Sequence, residues 1–318
     1  MASEFDLIRR HFTRPTNHTV LGVGDDAALI SVAPGNELAI SADMLIAGTH
    51  FFADTGPYQL GWKSLAVNLS DIAAMGALPK WATLAIALPE ANESWIAEFA
   101  KGFFACAERY QVDLVGGDTT RGPLSISVQI MGEVASGKAI RRSGAQAGDE
   151  IWVSGTLGAA ALALAALQQR YVLTESELDA CLPALHMPQP KVELGLLLHL
   201  FAHSAIDISD GLLADLGHIL ECSNLGAEIN LQHIPCIKAV SNHLADQQVQ
   251  KMVLAGGDDY ELCFTAPARN HAEIAKLAQL LALPLSRIGV VTSSSGLVVR
   301  GLENEIMDMK ETGFDHFA

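Results

Sequence analysis

The sequence predicts an α/β (α+β) protein of two domains. Strand-like and helix-like segments alternate in both halves, and 318 residues are too many for one core of ordinary size. Half of the residues are hydrophobic, which excludes disordered and fibrous architectures. A small, polar and locally basic segment at 135–149 separates the halves. We therefore place the domains at residues 1–136 and 137–318.

Periodicity predicts the elements of the first half. In order, they are a strand over 37–43, a largely buried helix over 58–75, a strand over 81–88, an amphipathic helix over 93–110, and strands over 112–115 and 124–134. The first strand delivers Asp43 at its end, and the strand over 112–115 leads into Gly116-Gly117-Asp118.

The second half is predicted to follow the same mixed plan. Its elements are a strand over 151–154, an alanine-rich helix over 157–169, a helix from Ser209-Asp210-Gly211 to Cys222, an apolar strand over 252–255 and a strand over 260–265. Ser209 and Asp210 suit a helix N-cap and first turn. The segment 252–255 leads into Gly256-Gly257-Asp258. An apolar strand followed by Gly-Gly-Asp is thus predicted in both halves, which hints weakly that the halves are related.

Charge and composition exclude several classes of function. Twenty Lys plus Arg against 36 Asp plus Glu give a net charge of −16, and no basic stripe is present, so nucleic acid is not an expected partner. No apolar run approaches the roughly 18 to 20 residues of a membrane span. The N-terminus is charged and lacks an export signal, and five scattered cysteines suit a reducing compartment. We expect a cytoplasmic protein.

A set of aspartates lies among glycine, serine and apolar residues rather than on a charged surface. These are Asp25, Asp26, Asp43, Asp71, Asp118, Asp207, Asp210, Asp258 and Asp259. Embedded carboxylates need partners, and the chain has too few cations to pair them all. Carboxylate oxygens suit a hard cation, above all Mg²⁺ when phosphates share it.

Asp71 has two possible roles. It shares one helical face with Ser64 and Asn68, inside an otherwise apolar helix. The three could form a buried polar network, or Asp71 could be a metal ligand facing a cavity, which we favour. For Asp26, Asp118 and Asp210, a role as simple turn formers is about as well supported.

Phosphate binding must rely on metal and arginine. The segment Gly22–Ala27 matches a dinucleotide fingerprint, but its two carboxylates would repel a pyrophosphate. A P-loop is absent. Arg121 and the Arg141-Arg142 pair are candidates, although an arginine pair can equally be a solvated loop. Of the histidines, only His50 follows a candidate site strand closely.

Six motifs in order resemble the thiamine-monophosphate kinase family of the aminoimidazole ribonucleotide synthetase-like superfamily. The motifs are Gly24-Asp25-Asp26-Ala27-Ala28, Ser41-Ala42-Asp43, Ala66–Gly76, Gly116-Gly117-Asp118-Thr119-Thr120, Ile206–Gly211 and Gly257–Leu262. The resemblance runs from Glu4-Phe5 to Gly313–Phe317, which is nearly the whole chain.

The resemblance implies an ATP-dependent kinase that converts thiamine monophosphate to thiamine diphosphate, as a dimer built through the N-terminal sheets. It places Mg²⁺ contacts at Asp26, Ser41, Ala42, Asp43, Asp71, Asp118, Asp207 and Asp210. It places ATP contacts at Gly117, Asp118, Arg142 and Ser209, and substrate contacts at His50, Asp258 and Phe314. Among the acids, Asp71, Asp118 and Asp210 are expected to serve catalysis. The C-terminal domain is expected to complete the ATP and substrate site.

Three positions depart from the family pattern. Ala42 stands where relatives often carry Thr, so a metal contact there could use only the backbone. Asp258 replaces a common Glu, and Phe314 replaces a common Tyr, keeping the aromatic face but losing the hydroxyl. We expect these changes to alter affinity and not the reaction.

Chemistry and resemblance agree on mechanism. Donor and acceptor are both anionic, so several Mg²⁺ ions would neutralise charge during direct in-line transfer, and a phosphate nucleophile needs no strong base. The alternatives are a selenophosphate-synthetase-like enzyme, which should show a reactive Cys near the N-terminus, or a catalytically silent nucleotide-binding regulator. Here the first cysteine is Cys106.

Overall fold

A computed structural model describes residues 4–309 and 313–314, and the side chains from residue 6 onward within those ranges. The chain forms two compact units. One contains the residues up to Ile72 together with Ala77–Lys138, and the other contains Ala73–Gly76 and the described residues from Ala139 onward. Both combine helices with a sheet, so the predicted fold class is confirmed. The final motif residues 315–317 lie outside the described part of the chain.

The first unit is built on a four-stranded sheet. The elements are α1 (Glu4–Leu7) with a π-helical turn (Ile8–Phe12), β1 (Thr19–Leu21), β2 (Leu29–Ile30), β3 (Asn36–Ile46), α2 (Pro57–Ala74), β4 (Leu78–Leu88), α3 (Glu93–Tyr110), β5 (Asp113–Arg121) and β6 (Ser125–Ala135). The strand order in the sheet is β3-β6-β4-β5. Strand β6 is antiparallel to both its neighbours, and β4 and β5 are parallel.

The two faces of this sheet differ in burial. Side chains alternate across a strand, and one set, which includes Leu84 and Ile130, is buried. On the opposite face, Ile40 and Met44 are 55% and 54% exposed, and Ala42, Ala85 and Gln129 are exposed beside them. We call this second surface, formed by Ile40, Ala42, Met44, Ala85 and Gln129, the open face. Apolar side chains on a solvent-facing sheet surface suggest a partner.

The second unit contains a six-stranded sheet and several helices. The elements are β7 (Asp149–Ser154), α4 (Ala159–Leu167), α5 (Glu175–His186), α6 (Val192–Leu198), β8 (Ser204–Asp207), α7 (Leu212–Ser223), β9 (Gly226–Asn230), a 3₁₀ turn (Leu231–His233), α8 (Lys238–Ser241), α9 (Gln247–Ala255), β10 (Leu262–Pro267), a 3₁₀ turn (Ala268–Asn270), α10 (His271–Leu281), β11 (Leu285–Thr292) and β12 (Gly296–Arg300). The strand order is β12-β9-β11-β7-β10-β8, and within this sheet only β12 and β9 pair in parallel. The apolar core joins Ile151 and Val153 of the central strand β7 to helices α4, α5, α7 and α9.

The prediction that an apolar strand leads into Gly-Gly-Asp in both units is wrong for the second unit. Residues 252–255 form the last turn of α9, not a strand. Val249 and Val253 are both buried and lie four residues apart, which is the spacing that places two side chains on one face of a helix. Four apolar residues are too few to distinguish a strand from a helical turn. In the first unit, the strand does not stop at Val115 but continues through the glycines to Arg121.

Among the described residues, no helix is long and apolar enough to cross a membrane.

Candidate active site

A hydroxyl–carboxylate pair joins β3 to α2 in the first unit. The Ser41 hydroxyl donates a hydrogen bond to Oδ2 of Asp71 over 2.6 Å. Ser41 pairs with Ile130, so its side chain points to the helix-covered side of the sheet. Both residues are half-buried. Two residues that the sequence assigned to one site are therefore in direct contact.

Asn68 fixes the neighbouring part of β3. Its Oδ1 accepts a hydrogen bond from the amide of Asp43 at 3.1 Å, and its Nδ2 donates to the carbonyl of Ser64 at 3.0 Å. The polar face predicted on this helix thus exists, with Asn68 and Ser64 in structural roles. Asp43 is anchored through its backbone, so the anchor does not require its carboxylate.

Asp118 lies elsewhere on the same sheet. It pairs with Ala85 on the open face, whereas Ser41 and Asp43 point to the helix side. Strands β3 and β5 are separated by β6 and β4, or roughly 14 Å at about 4.8 Å per strand. Within one chain, the sheet keeps Asp118 apart from Asp43 and Asp71.

The remaining candidates of the first unit lie in loops and at strand ends. Asp26 is exposed between β1 and β2, and its amide donates to Oδ1 of Asp25 at 2.9 Å. His50 follows β3, and its Nδ1 accepts a hydrogen bond from the amide of Ile46 at 3.0 Å. A neutral His50 ring therefore carries its proton on Nε2. Arg121 is exposed at the end of β5.

Four candidates of the second unit meet at one loop. The residues Ile208–Gly211, which we call the 208–211 loop, connect β8 to α7. The Ser209 carbonyl accepts from the amide of Asp258 at 2.9 Å, and the Asp210 carbonyl accepts from the amide of Phe314 at 3.0 Å. Predicted nucleotide and substrate residues thus share one backbone network.

The neighbouring turn holds Asp258 in an unusual conformation. Asp258 has φ +71° and Tyr260 has φ +49°, and the Tyr260 hydroxyl donates to Oδ1 of Asp258 at 3.0 Å. The next carboxylate, Asp259, accepts the amide of Gly158 at 3.0 Å, and burial raises its pKa well above the ordinary value. Such left-handed residues are held by surrounding contacts.

Glu261 anchors the other end of this turn. It accepts from the Ser154 hydroxyl at 2.6 Å and forms an ion pair with Lys191 at 2.9 Å. Burial raises the pKa of Glu261, and Lys191 opposes that shift. Asp259 and Glu261 belong to the motif Gly257–Leu262, as Asp258 does. The sequence alone does not show that Asp259 and Glu261 hold the turn in place whereas Asp258 is a candidate for substrate binding.

Asp207 and Arg142 lie beside the edge strand β8. Asp207 ends this strand and is buried, paired with Leu262. The Arg141 carbonyl accepts the amide of Ala205 at 3.2 Å, so the arginine segment runs along β8, with Arg142 exposed.

Sequence reasoning missed Asp215, in the first turn of α7. Its Oδ2 accepts the amides of Ser209, Asp210 and Gly211 at 3.0, 3.1 and 3.1 Å. Burial raises the pKa of Asp215 to about 6; the Asp210 charge adds to the rise, and the three amides oppose it. Only its position one turn after a Ser-Asp-Gly motif could have drawn attention to it.

The donor set fits Mg²⁺ bound together with a nucleotide. Among the described residues, no group of three or more His, Cys, Asp and Glu side chains forms a metal cage. Mg²⁺ at nucleotide sites usually takes one or two carboxylates, with phosphate oxygens and waters completing the octahedron. The hard oxygens of Ser41 and Asp71 match that requirement.

Comparison with known protein families identifies the class of protein from its two domains. Residues 24–134 match the model of the AIR synthase related protein N-terminal domain, and residues 146–301 match that of the C-terminal domain. The chain is therefore a two-domain AIR synthase related protein.

Relatives that match along the whole chain identify the family to which it belongs. The thiamine-monophosphate kinase of Escherichia coli K12 is 44% identical over 99% of this chain and 98% of its own length. The crystal structure of that kinase from Stenotrophomonas maltophilia has 47% identity and a TM-score of 0.86, covering 95% of each chain. A structure described as AaThiL complexed with AMPPCP and TMP has 28% identity and a TM-score of 0.79, covering 99% of this chain and 97% of its own. The chain belongs to the thiamine-monophosphate kinase family.

We predict that Gly117 tolerates no side chain. Its φ is +149°, and an added Cβ would fall on the carbonyl oxygen of Leu84 in the adjacent strand. Gly117→Ala should lower the free energy of unfolding by about 2 kcal/mol or more, measured by denaturant titration. Gly116→Ala is the matched control, because an added Cβ there meets no atom within 4 Å. Equal stability of the two variants would contradict the prediction.

Proposed function

We propose that this protein transfers the γ-phosphoryl group of ATP to the phosphate of thiamine monophosphate, forming thiamine diphosphate and ADP. The 208–211 loop carries the proposal, because it links nucleotide candidates Ser209 and Asp210 to substrate candidates Asp258 and Phe314 through two hydrogen bonds. The full-length family match and a relative described with AMPPCP and TMP support it. We propose a cytoplasmic enzyme, as its scattered free cysteines indicate.

The acids and loop residues predicted from the sequence are proposed to hold Mg²⁺ and ATP. Mg²⁺ would supply positive charge at the phosphates, reducing repulsion between two anionic substrates on a chain of net charge −16. The proposed Mg²⁺ contacts are Asp26, Ser41, Ala42, Asp43, Asp71, Asp118, Asp207 and Asp210. Gly117, Asp118, Arg142 and Ser209 are proposed to contact ATP.

The chain's own groups would position the acceptor. His50 can donate from Nε2 to the acceptor phosphate, since its Nδ1 is already occupied by the Ile46 amide. Asp258 offers negative charge to the cationic thiazolium ring, and Phe314, which is 52% exposed, offers an aromatic face for stacking. The acceptor phosphate oxygen forms a bond to the γ-phosphorus as the bond to the β,γ-bridging oxygen breaks. That phosphate is largely deprotonated near neutral pH, so no strong general base is needed.

The thiol required by the selenophosphate-type alternative is not supported. Cys106, the first cysteine of the chain, is completely buried, and burial raises its thiol pKa far above the ordinary value. A thiol in this environment is a poor nucleophile.

We further propose a homodimer that pairs through the open face. The open face carries exposed apolar side chains suited to pairing with a second copy. Asp118 lies on that face, three strand positions from β3, so pairing there would place the Asp118 of each copy at the interface.

Activity is tested directly with purified protein, ATP, Mg²⁺ and thiamine monophosphate, with thiamine as a parallel acceptor. We expect chromatography to show thiamine diphosphate from the monophosphate only, and none after chelation of Mg²⁺. ATP binding without any product would contradict the kinase and favour a silent nucleotide-binding protein.

Replacing the carboxylate of Asp71 or of Asp118 should strongly lower turnover without unfolding the protein. We expect Asp71→Asn and Asp118→Asn each to lower kcat at least a hundredfold, because each loses a charge proposed to hold Mg²⁺. Near-normal turnover in both variants would refute their role.

A charge on the open face should split the dimer. We expect Met44→Lys to be monomeric by light scattering, because pairing would bury an uncompensated charge. Val172→Lys is the control, because Val172 is 88% exposed and belongs to the second unit, so it is not one of the residues that form the open face. A monomeric wild type, or a dimeric Met44→Lys, would rule out this interface.

A further inference from the structure

We propose that Asp215 is a positioning residue that fixes the 208–211 loop in the conformation needed to bind Mg²⁺–nucleotide. This inference rests on the proposed function, since it assigns the loop's Ser209 and Asp210 to that ligand. Asp215 is 3% exposed, so a ligand does not reach its carboxylate, and it acts through the loop.

One oxygen of Asp215 satisfies three consecutive backbone donors. The amides of Ser209, Asp210 and Gly211 all point to Oδ2, within 3.0–3.1 Å. Three consecutive amides converge on one point only when the chain curls around it. A carboxylate in the first turn of α7 also interacts favourably with the positive end of the helix dipole.

The outer side of the loop is bonded just as completely. The carbonyls of Ile208, Ser209 and Asp210 accept the amides of Tyr260, Asp258 and Phe314 at 2.8, 2.9 and 3.0 Å. The amide of Ile208 donates to the carbonyl of Glu261 at 2.8 Å. The loop therefore links the candidate substrate residues to Asp215, and a change in its curvature would move both sets.

The loop has little room to relax on its other side. Gly211 has φ +132°, and an added Cβ would lie 2.7 Å from the backbone carbon of Ala255. Loss of the Asp215 charge would weaken three hydrogen bonds to buried or half-buried donors that have no alternative position nearby.

The key variant is Asp215→Asn, which keeps the shape but removes the charge. We expect calorimetry with Mg²⁺ and a non-hydrolysable ATP analogue to show a dissociation constant raised tenfold or more. We also expect faster hydrogen exchange at the amides of residues 209–211, which a loss of stability elsewhere would not produce selectively.

Asp149→Asn is the matched control. Asp149 is also 3% exposed and in the same unit. Its carboxylate accepts the amide of Gln146 at 2.8 Å and pairs with His203 at 2.9 Å, and not with the amides of the 208–211 loop. Asp149→Asn should keep its nucleotide affinity whatever its stability. Unchanged affinity in Asp215→Asn, or an equal loss in both variants, would overturn the proposal.

Two further observations keep the proposal testable. If Asp215→Asn does not fold, hydrogen exchange of the wild type decides: the three amides should be protected without nucleotide, and exchange as fast as that of open loops would overturn the proposal. Binding is measured without the acceptor, so a wild type that makes no thiamine diphosphate would contradict the proposed function alone. A productive wild type with an unaffected Asp215→Asn would contradict the Asp215 role alone.

Discussion

Hydrogen bonds from backbone amides to carboxylate oxygens govern where this protein can keep its acidic residues. Several buried aspartates accept hydrogen bonds of this kind: Asp113 accepts the amides of Asn17 and His18 at 2.6–2.9 Å, and Asp259 accepts the amide of Gly158. Asp215 accepts three amides and is the most demanding case. Burial of a carboxylate is costly without such donors. These residues shape loops and are not available to a ligand.

The acids proposed to bind Mg²⁺ differ in their surroundings. Asp26 and Asp118 are exposed, and Asp43, Asp71 and Asp210 are half-buried. Asp207, which is buried at the end of β8, is the exception. Exposed or half-buried oxygens can exchange water for a cation at little cost, whereas a buried anchor would lose its amides. Apart from Asp207, the difference in solvation separates the acids that shape loops from the acids that are proposed to bind Mg²⁺.

The sheet of the first unit adds a second constraint. Covering one face with helices leaves the other to solvent or to a partner, and the apolar side chains of Ile40 and Met44 occupy that second face. Because side chains alternate along strands, the register that buries Leu84 also sends Asp118 to the open face. The surface proposed for pairing is therefore also the surface that carries Asp118, one of the proposed Mg²⁺ contacts.

The sequence alone determined the mixed fold, the helix at Glu93–Tyr110, the family and a set of candidate aspartates. These follow from local periodicity and from motifs in which each residue is close to the next. Only the tertiary structure separated Asp118 from Asp71, turned the apolar segment 252–255 into the end of a helix and gave Asp215 its three amides. Strand register and loop curvature depend on contacts between distant parts of the chain, and local sequence carries no direct record of those contacts.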